Sequence, residues 1–308
     1  MGGLLMSVVE LKTVNLANGE TLGYRERHGG DKVILLIHGN MTSSKHWDVV
    51  IDSIDNDYKV YAVDMRGFGV STYHHPVRSI KDFSDDIKLF VDELGLTNFI
   101  LAGWSTGGAV GMQFVADYPG ICSKLILLAS ASTRGYPFFG LGADGKMDFA
   151  NRLKTMEDIQ KDLARTIPIQ TAYNNRDKET LKAIWNAAIY TKKQPEEKQY
   201  DEYLEDMMTQ RNLADVYYAL NTFNISHHHN GLTEGNGKVD DIKIPVLVLR
   251  GDRDFVVLEN MAQEIIEDIG ENATFVELKD CGHSPLIDNL ELLVNEMHKF
   301  MKQKEPTK

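Results

Sequence analysis

The sequence contains little cysteine, few basic residues for its acidic content, and no long apolar run. Cys122 and Cys281 are the two cysteines among 308 residues, too few for a disulfide framework, which favours a reducing compartment and a cytoplasmic protein. No stretch approaches the roughly 18 apolar residues of a membrane-spanning helix, and residues 1–6 lack the basic region of a signal peptide. We therefore predict no membrane partner, and Met6 is an alternative natural start.

The charge balance excludes a second class of partner. The chain has 33 basic and 45 acidic residues, which gives a formal net charge of -12 at pH 7. A surface this acidic repels phosphate backbones. Nucleic acid is therefore not expected as a partner.

Apolar runs in the remaining sequence predict a mostly parallel sheet. Residues 8–27 contain two strand-like runs around Asn18-Gly19, a dipeptide that favours a tight hairpin, so an antiparallel pair is expected first. Later runs are continuously apolar, as strands buried on both faces are, and helical patterns separate them. This alternation predicts the α/β class. The later runs are 33–37, 60–63, 99–102, 125–128 and 246–249.

The alternation stops in the middle of the chain. Residues 132–241 carry helical patterning and many aromatic side chains but no convincing strand, so we interpret them as an inserted helical cap. Residues 1–131 and 242–308 then form the core domain. The apolar stripes within 181–190 and 200–220 are expected to pack the interior of the cap, with a few side chains facing a substrate pocket as the alternative.

One serine lies in a motif that carries chemistry. Gly103-Trp-Ser105-Thr-Gly107 fits G-x-S-x-G, the strand–turn–helix elbow that exposes a serine hydroxyl above the sheet. The pattern is short, but it follows a predicted buried strand and precedes a predicted helix, as the elbow requires. We therefore predict that Ser105 is a nucleophile rather than a hydroxyl in an ordinary turn.

A serine nucleophile needs a general base, and the base needs an acid that fixes its tautomer. In elbow proteins these residues follow the serine in the order acid, then histidine, each beyond the end of a strand. His283, after the last predicted strand, is the candidate base among ten histidines. Asp252 and Asp254 are alternative acids, because an aspartate near a turn also stabilises its own loop by hydrogen bonds to the backbone.

The same chemistry requires two backbone N–H groups that stabilise the negative charge on the substrate's carbonyl oxygen. One donor is expected from Thr106, directly after the serine. The other is expected from the loop after an early strand, His38-Gly39-Asn40, and we assign it to Asn40. His38 itself is expected to brace this loop.

Other motifs do not indicate a metal or a cofactor. The adjacent histidines 227–229 cannot all face one ion, and neither they nor residues 74–75 have an acidic or cysteine partner at ligand spacing. Residues 235–238 lack the spacing of a phosphate-binding loop, and Gly67-Phe-Gly69 lacks the third glycine of a dinucleotide fingerprint. We predict neither a metal nor a cofactor.

Together, the motifs resemble those of the α/β-hydrolase superfamily over essentially the whole chain. The resemblance implies an α/β-hydrolase fold, a helical cap above the active site, and a serine hydrolase that needs no cofactor. It also implies that the acid is the second aspartate of Gly-Asp-x-Asp, which is Asp254. The matching motifs are His38-Gly39, Asp64-Met-Arg-Gly67-Phe-Gly69, Gly103-Trp-Ser105-Thr-Gly107, Gly251-Asp-Arg-Asp254 and Gly282-His283.

The resemblance also bears on the substrate. A serine at the elbow argues against haloalkane dehalogenases and epoxide hydrolases, which need a carboxylate there. Gly-Trp-Ser-x-Gly, the His-Gly-Asn loop and the cap length are similar to bacterial intracellular short-chain polyhydroxyalkanoate depolymerases and small lactonases. This implies a lactone or short hydroxyalkanoate ester as substrate, or a polyester, for which residues 136–139, Tyr-Pro-Phe-Phe, are a candidate apolar surface.

The sequence therefore favours a serine hydrolase that cleaves a carboxylic ester through an acyl-enzyme. A carbon–carbon bond hydrolase is an alternative, because a catalytic triad fixes the style of reaction better than the bond that is cleaved. A slow-turnover receptor or signalling protein that keeps the triad is another, and a non-catalytic scaffold is a third. The sequence does not indicate an oligomeric state.

Overall fold

In the computed structural model, which describes residues 8–304, eight strands form one central sheet. Residues 1–6 lie outside the described part of the chain. The strands in chain order are β1 (Val9–Asn15), β2 (Thr21–Arg27), β3 (Lys32–Ile37), β4 (Tyr58–Val63), β5 (Phe99–Trp104), β6 (Cys122–Leu128), β7 (Phe139–Leu141), β8 (Met147–Arg152), β9 (Val246–Gly251) and β10 (Ala273–Leu278).

The central sheet is mostly parallel, as the sequence predicts. Its order is β1-β2-β4-β3-β5-β6-β9-β10. The first two strands pair antiparallel across the turn at Asn18-Gly19, where Gly19 has a φ of 89°. The second strand is also antiparallel to β4, and every later pairing in this sheet is parallel. The expected α/β architecture with an antiparallel opening is thus confirmed.

Helices cover both faces of this sheet. Alternate side chains of β3 show why its run is continuously apolar: Leu35 and Ile37 pack with residues of α2 and α3, whereas Ile34 and Leu36 pack with residues of α1 and α11. The helices are α1 (Asp48–Ser53), α2 (Ile80–Glu93), α3 (Thr106–Asp117), α4 (Met156–Gln160), α5 (Thr166–Asn174), α6 (Lys178–Ala188), α7 (Glu197–Met207), α8 (Leu213–Thr222), α9 (Glu259–Ile269), α10 (Pro285–Asp288) and α11 (Leu290–Met301).

Parallel pairing brings four predicted site loops to one edge of the sheet. Strands β3, β5, β9 and β10 run in the same direction, and the loops at their carboxyl ends carry Asn40, Ser105, Asp254 and His283 respectively. Ligand sites of open α/β sheets lie at this edge.

The segment between β6 and β9 contains a hairpin that the sequence analysis missed. The expectation that residues 132–241 hold no strand is wrong, because β7 and β8 pair antiparallel around a turn at Gly145. No residue of β8 is buried and half of them are exposed; Phe149 keeps 74% of its surface accessible. A strand without a buried face has no alternating apolar pattern, which is why the sequence does not reveal it.

Two helices of the same segment contact elements outside it: α8 packs against α2, and α7 packs against the loop after β3. On α7, Asp206 accepts a hydrogen bond of 2.6 Å from Ser43 Oγ, and the Tyr203 hydroxyl donates one of 2.5 Å to Asp48. These bonds join α7 to the loop after β3 and to the first residue of α1. The division into a core of residues 1–131 and 242–308 and a cap of residues 132–241 stays a prediction.

Candidate active site

The backbone of Ser105 has the strained geometry expected of an elbow. Ser105 lies between β5 and α3 with φ 56° and ψ -116°. Its N–H donates to Leu128 O at 2.9 Å, and its carbonyl accepts from Gly108 N–H at 2.9 Å. A non-glycine residue in this region of conformational space is strained and persists only where its surroundings hold it.

Glycines on both sides allow this turn to pack. A Cβ at Gly103 would lie 2.1 Å from the carbonyl oxygen of Gly107, and a Cβ at Gly107 would lie 2.3 Å from Ile37 O. Both contacts are with backbone atoms, which cannot rotate away. The two glycines of G-x-S-x-G are therefore required by close packing of the elbow against itself and against β3.

His283 and Asp254 form a buried pair. His283 Nδ1 donates to Asp254 Oδ2 at 2.9 Å, which leaves Nε2 as the acceptor nitrogen. The other carboxylate oxygen of Asp254 accepts from the N–H groups of Val256 and Val257 at 2.8 and 2.9 Å. Asp254 is 1% exposed, so its carboxylate is hydrogen-bonded to three protein groups rather than to solvent.

Asp252 has a different environment from Asp254. Its Oδ1 accepts a hydrogen bond of 3.2 Å from the N–H of Cys281, in the loop that leads to His283. Asp252 thus joins two loops by a bond between side chain and backbone. Of the two alternatives, only Asp254 bonds to the histidine ring within the described residues.

Ser105 and His283 line one cavity, together with residues of the segment between β6 and β9. Among residues 8–304, Ser105 Oγ makes no direct hydrogen bond to the imidazole. Catalytic hydrogen bonds are often long in ligand-free structures and tighten when substrate binds. The structure therefore brings together the serine, the histidine and the aspartate that the sequence predicts.

The predicted oxyanion donors also line this cavity. Asn40 follows β3, and Thr106 is the first residue of α3. Within residues 8–304, neither main-chain N–H donates to a protein acceptor. Two unused amides next to a serine are the arrangement that stabilises a carbonyl oxygen as it becomes negative.

A polar network from the segment between β6 and β9 holds the Asn40 side chain. Gln210 Nε2 donates to Asn40 Oδ1 at 2.7 Å, and the Tyr173 hydroxyl donates to Gln210 Oε1 at 2.8 Å. Sequence reasoning missed Gln210, because it lies in the break between α7 and α8 and is distant in the chain from Asn40. Its only local signal is a polar cluster, Gln210-Arg-Asn212, that interrupts two apolar stripes.

His38 braces the same loop from below. Its Nε2 accepts from Met65 N–H at 3.0 Å, and its Nδ1 donates to Gly39 O at 2.7 Å. Burial lowers the pKa of His38 below its ordinary value, so the ring stays neutral and both bonds persist. His38 has the structural role that the sequence indicates.

Trp104 is a second residue whose role sequence reasoning missed. Its indole Nε1–H donates to the main-chain oxygen of His283 at 3.0 Å. The variable position of G-x-S-x-G therefore anchors the histidine loop directly to the serine's own strand. The only sign of this role in the sequence is that Trp104, a large aromatic residue, occupies a position of G-x-S-x-G where the motif requires no particular residue.

The cavity is small and mainly apolar. Its volume of about 180 Å³ is below the roughly 300–1,000 Å³ of typical ligand pockets. Tyr136 and Phe138 line it, whereas Phe139 makes an edge-to-face contact with Phe149 in the exposed hairpin. Besides the loop residues named above, the lining comprises Met41, Ala131, Tyr136, Phe138, Arg165, Ile169, Ile184, Trp185, Ala188, Ile189, Tyr217, Leu220 and Val256.

The remaining candidate groups lie elsewhere. His227 contacts Asp240 at 2.8 Å on the surface. Residues 8–304 contain no group of three or more histidine, cysteine, aspartate or glutamate side chains placed to hold a metal ion. Cys281 is a buried free thiol, and burial raises its pKa to about 11. In the same part of the chain, no helix has the length and apolar character needed to cross a membrane.

A parallel sheet with an elbow serine facing a buried histidine–aspartate pair is the arrangement of α/β hydrolases. Residues 32–290 match the family described as alpha/beta hydrolase fold. The chain belongs to this family.

Curated relatives include hydrolases of several kinds. YisY of Bacillus subtilis, an alpha/beta hydrolase superfamily protein, is 30% identical over 145 residues, which are 43% of this chain and 54% of that protein. A 2-hydroxy-6-oxononadienedioate/2-hydroxy-6-oxononatrienedioate hydrolase of a Pseudomonas species is 26% identical over 49% of this chain and 56% of that protein. The chain therefore matches about half the length of these two relatives. A pimeloyl-(acyl-carrier protein) methyl ester esterase of Aliivibrio fischeri is 22% identical over 91% of this chain and 97% of that protein.

Solved structures share the fold over nearly the whole chain. An esterase from Exiguobacterium antarcticum superposes with a TM-score of 0.72 at 18% identity, covering 95% of this chain and 99% of that one. An enol-lactonase from Burkholderia xenovorans superposes with a TM-score of 0.70 at 17% identity, covering 95% and 100%.

The packing of the elbow predicts a large effect of one methyl group. We expect Gly103→Ala to lower the free energy of unfolding by roughly 3 kcal/mol or more, because its Cβ meets immobile backbone. Gly95→Ala is the control, since Gly95 has a φ of 64° and no atom within 4 Å of a new Cβ, and it should cost only about 1–2 kcal/mol. Denaturant unfolding measures both, and equal losses would contradict the packing argument.

The indole bond of Trp104 predicts an effect on the reactivity of Ser105. Trp104→Phe removes the donor that holds the histidine loop, so a fluorophosphonate should label Ser105 roughly 3- to 10-fold more slowly. Trp47→Phe is a matched control, because Trp47 is fully buried next to Trp104 and its Nε1 has no partner within the described residues. Labelling of Trp104→Phe at the wild-type rate would argue against this anchor.

Proposed function

We propose that this protein is a serine hydrolase that cleaves a carboxylic ester through an acyl-enzyme. The observation that carries the proposal is one small cavity that is lined by Ser105, by His283 bonded to Asp254, and by the amides of Asn40 and Thr106. These groups would supply the nucleophile, the general base with its acid, and the two N–H donors that ester hydrolysis requires.

In the proposed reaction, His283 Nε2 takes the proton of Ser105 while Oγ bonds to the ester carbonyl carbon. The negative charge that develops on the carbonyl oxygen is stabilised by the N–H groups of Asn40 and Thr106. The tetrahedral intermediate collapses, and the leaving alcohol takes the proton from His283. Water then attacks the acyl-enzyme with His283 again as base, which releases the acid and restores Ser105. Asp254 stays ionised throughout and stabilises the imidazolium.

The size of the cavity favours a short acyl chain or a small lactone. A volume of about 180 Å³ is below the roughly 300–1,000 Å³ of pockets that hold drug-sized ligands. The esterase and lactonase names of the structural relatives support the same substrate class. A short hydroxyalkanoate ester fits this size, whereas a polyester would have to enter by one chain end.

Carbon–carbon bond hydrolysis is the second candidate. It is favoured by the relative from Pseudomonas, whose name denotes a hydrolase of 2-hydroxy-6-oxo dienedioates. The same serine, histidine and amide groups would serve a substrate whose carbonyl carbon bears a carbon leaving group.

The proposal predicts which residues ester hydrolysis needs. With p-nitrophenyl esters from acetate to octanoate, we expect activity to be highest for the short chains. Ser105→Ala and Asp254→Asn should lower kcat by at least roughly 1,000-fold and 100-fold respectively. Asp252→Asn, which makes the same change of charge two residues away, should stay within about threefold of wild type, because its amide oxygen still accepts from Cys281 N–H.

The alternatives make different predictions for the same assay. A folded wild type that hydrolyses none of these esters, yet is labelled at Ser105 by a fluorophosphonate, would contradict the esterase proposal and direct the search to carbon–carbon cleavage or a receptor role. Loss of activity in Asp252→Asn instead of Asp254→Asn would overturn the assignment of the acid.

Cavity size itself can be tested by enlarging it. Ile169 lines the cavity from α5 and is 5% exposed, whereas Ile167 on the same helix is 40% exposed and does not line it. We expect Ile169→Ala to shift the preferred acyl chain to a longer ester and to raise kcat/KM for octanoate relative to acetate. Ile167→Ala should leave the chain-length profile unchanged, and an identical profile in both variants would contradict the assignment of this wall.

A further inference from the structure

One basic side chain lines the cavity. Arg165 lies at the start of α5 and is half-buried. Its guanidinium carbon is 5.0 Å from the ring centroid of Phe138 and 5.6 Å from that of Tyr136. Both rings line the same cavity as Ser105. Contacts with these two aromatic rings therefore hold the guanidinium at the wall of the cavity.

Arg165 has no carboxylate or carbonyl acceptor for its guanidinium among residues 8–304. The other four arginines of residues 132–241 each bond to such an oxygen. They are Arg134 to Asp268, Arg152 to Asn221 O and Asn230 O, Arg176 to Glu205, and Arg211 to Ser71 O. Arg165 differs from them in its location at the cavity.

The carboxylates near this part of the cavity are already engaged. Asp162 accepts from the N–H groups of Ala164 and Arg165 at 3.0 and 3.1 Å. Asp254 is bonded to His283 and to two backbone amides. Neither forms an ion pair with the Arg165 guanidinium in the described structure.

The positive charge of Arg165 acts on the cavity itself. Burial raises the pKa of Tyr136 and of Tyr217, and the charge of Arg165 opposes that rise at both hydroxyls. A guanidinium on a mainly apolar wall loses hydration and gains most from an anion that accepts two of its hydrogen bonds. The protein's net charge of -12 disfavours anions in general, so binding one here requires such a local cation.

We propose that the substrate carries a carboxylate in addition to the ester, and that Arg165 binds this carboxylate while Ser105 attacks the ester carbonyl. This rests on the proposed ester hydrolysis. The substrate class is then a monoester, or a carboxylated lactone, of a short dicarboxylic acid. The small cavity requires a short spacer between the two groups, because both ends must fit within it.

The test compares two substrates that differ only in charge. Monomethyl glutarate carries a carboxylate, and methyl 4-carbamoylbutanoate carries an uncharged amide of the same shape. In the wild type, kcat/KM should favour the anion. Arg165→Met, which keeps the length of the side chain, should lower the ratio of anion to amide roughly 10- to 100-fold, mainly through KM, since a hydrogen bond to a charged group is lost. Arg165→Lys should retain part of the ratio, because it keeps the charge but not the bidentate fork.

Arg176→Met is the matched control for charge. It makes the same substitution in the same segment, but Arg176 is exposed and pairs with Glu205 outside the cavity. We expect it to leave the ratio of anion to amide unchanged. If Arg165→Met lowers both substrates equally, or neither, the inference is overturned and the cation only packs on Phe138 and Tyr136.

A binding measurement separates this inference from the proposed reaction. Glutarate should bind to Ser105→Ala in calorimetry, and Arg165→Met in the same background should weaken that binding at least about tenfold. If wild type hydrolyses no ester but glutarate binds in an Arg165-dependent way, the esterase proposal fails and the anion site stands. If esters are hydrolysed but glutarate binding does not depend on Arg165, the anion site fails and the esterase stands.

Discussion

The backbone conformation of Ser105 is the constraint on which the rest of the site depends. A φ of 56° with ψ -116° is a conformation that costs on the order of 1–3 kcal/mol for a non-glycine residue. Hydrogen bonds to Leu128 O and from Gly108 N–H hold it, and the absence of side chains at Gly103 and Gly107 lets β3, β5 and α3 meet without a gap. The hydroxyl consequently projects from the sheet edge toward the cavity, and the other groups of the site are placed around it.

Separate anchors place the remaining groups. Trp104, directly before the serine, bonds to the backbone of His283, so the position of the imidazole is linked to that of the nucleophile. Arg250 at the end of β9 donates to Asp254 O and Val257 O, which fixes the loop that carries the acid. Gln210, between α7 and α8, supplies the third anchor, because its amide bonds to Asn40. A displacement of Gln210 would therefore act first on the loop that carries Asn40, not on the histidine–aspartate pair.

The sequence could predict the parts of this arrangement that repeat along the chain or lie next to each other in it. Buried parallel strands have continuous apolar runs, and their carboxyl ends meet at one edge, so the convergence of Ser105, Asp254 and His283 follows from strand order alone. The exposed strand β8 has no buried face, so its sequence shows no alternation of apolar and polar residues. Gln210 contacts Asn40 and Arg165 contacts Phe138. No local spacing in the sequence encodes which distant residue either side chain will contact. The sequence alone left Asp252 and Asp254 as alternative acids, and only the resemblance favoured Asp254. The hydrogen bond from His283 distinguishes them in the structure.

Charge and size act on the substrate in different ways. The chain as a whole is acidic, so a small anion gains nothing from the general field of the protein and is repelled at a distance. Inside the cavity the balance reverses, because the acidic groups at the site already have partners, whereas the guanidinium of Arg165 has no carboxylate or carbonyl acceptor within the described residues. The apolar walls contribute affinity for any short acyl chain, and they discriminate weakly because one methylene is worth only about 1–3 kcal/mol. A half-buried cation on an apolar wall discriminates more strongly between charged and neutral ligands, since the ligand that lacks the charge leaves it unpaired. Selectivity in this site therefore depends more on the location of one charge than on the shape of the apolar wall.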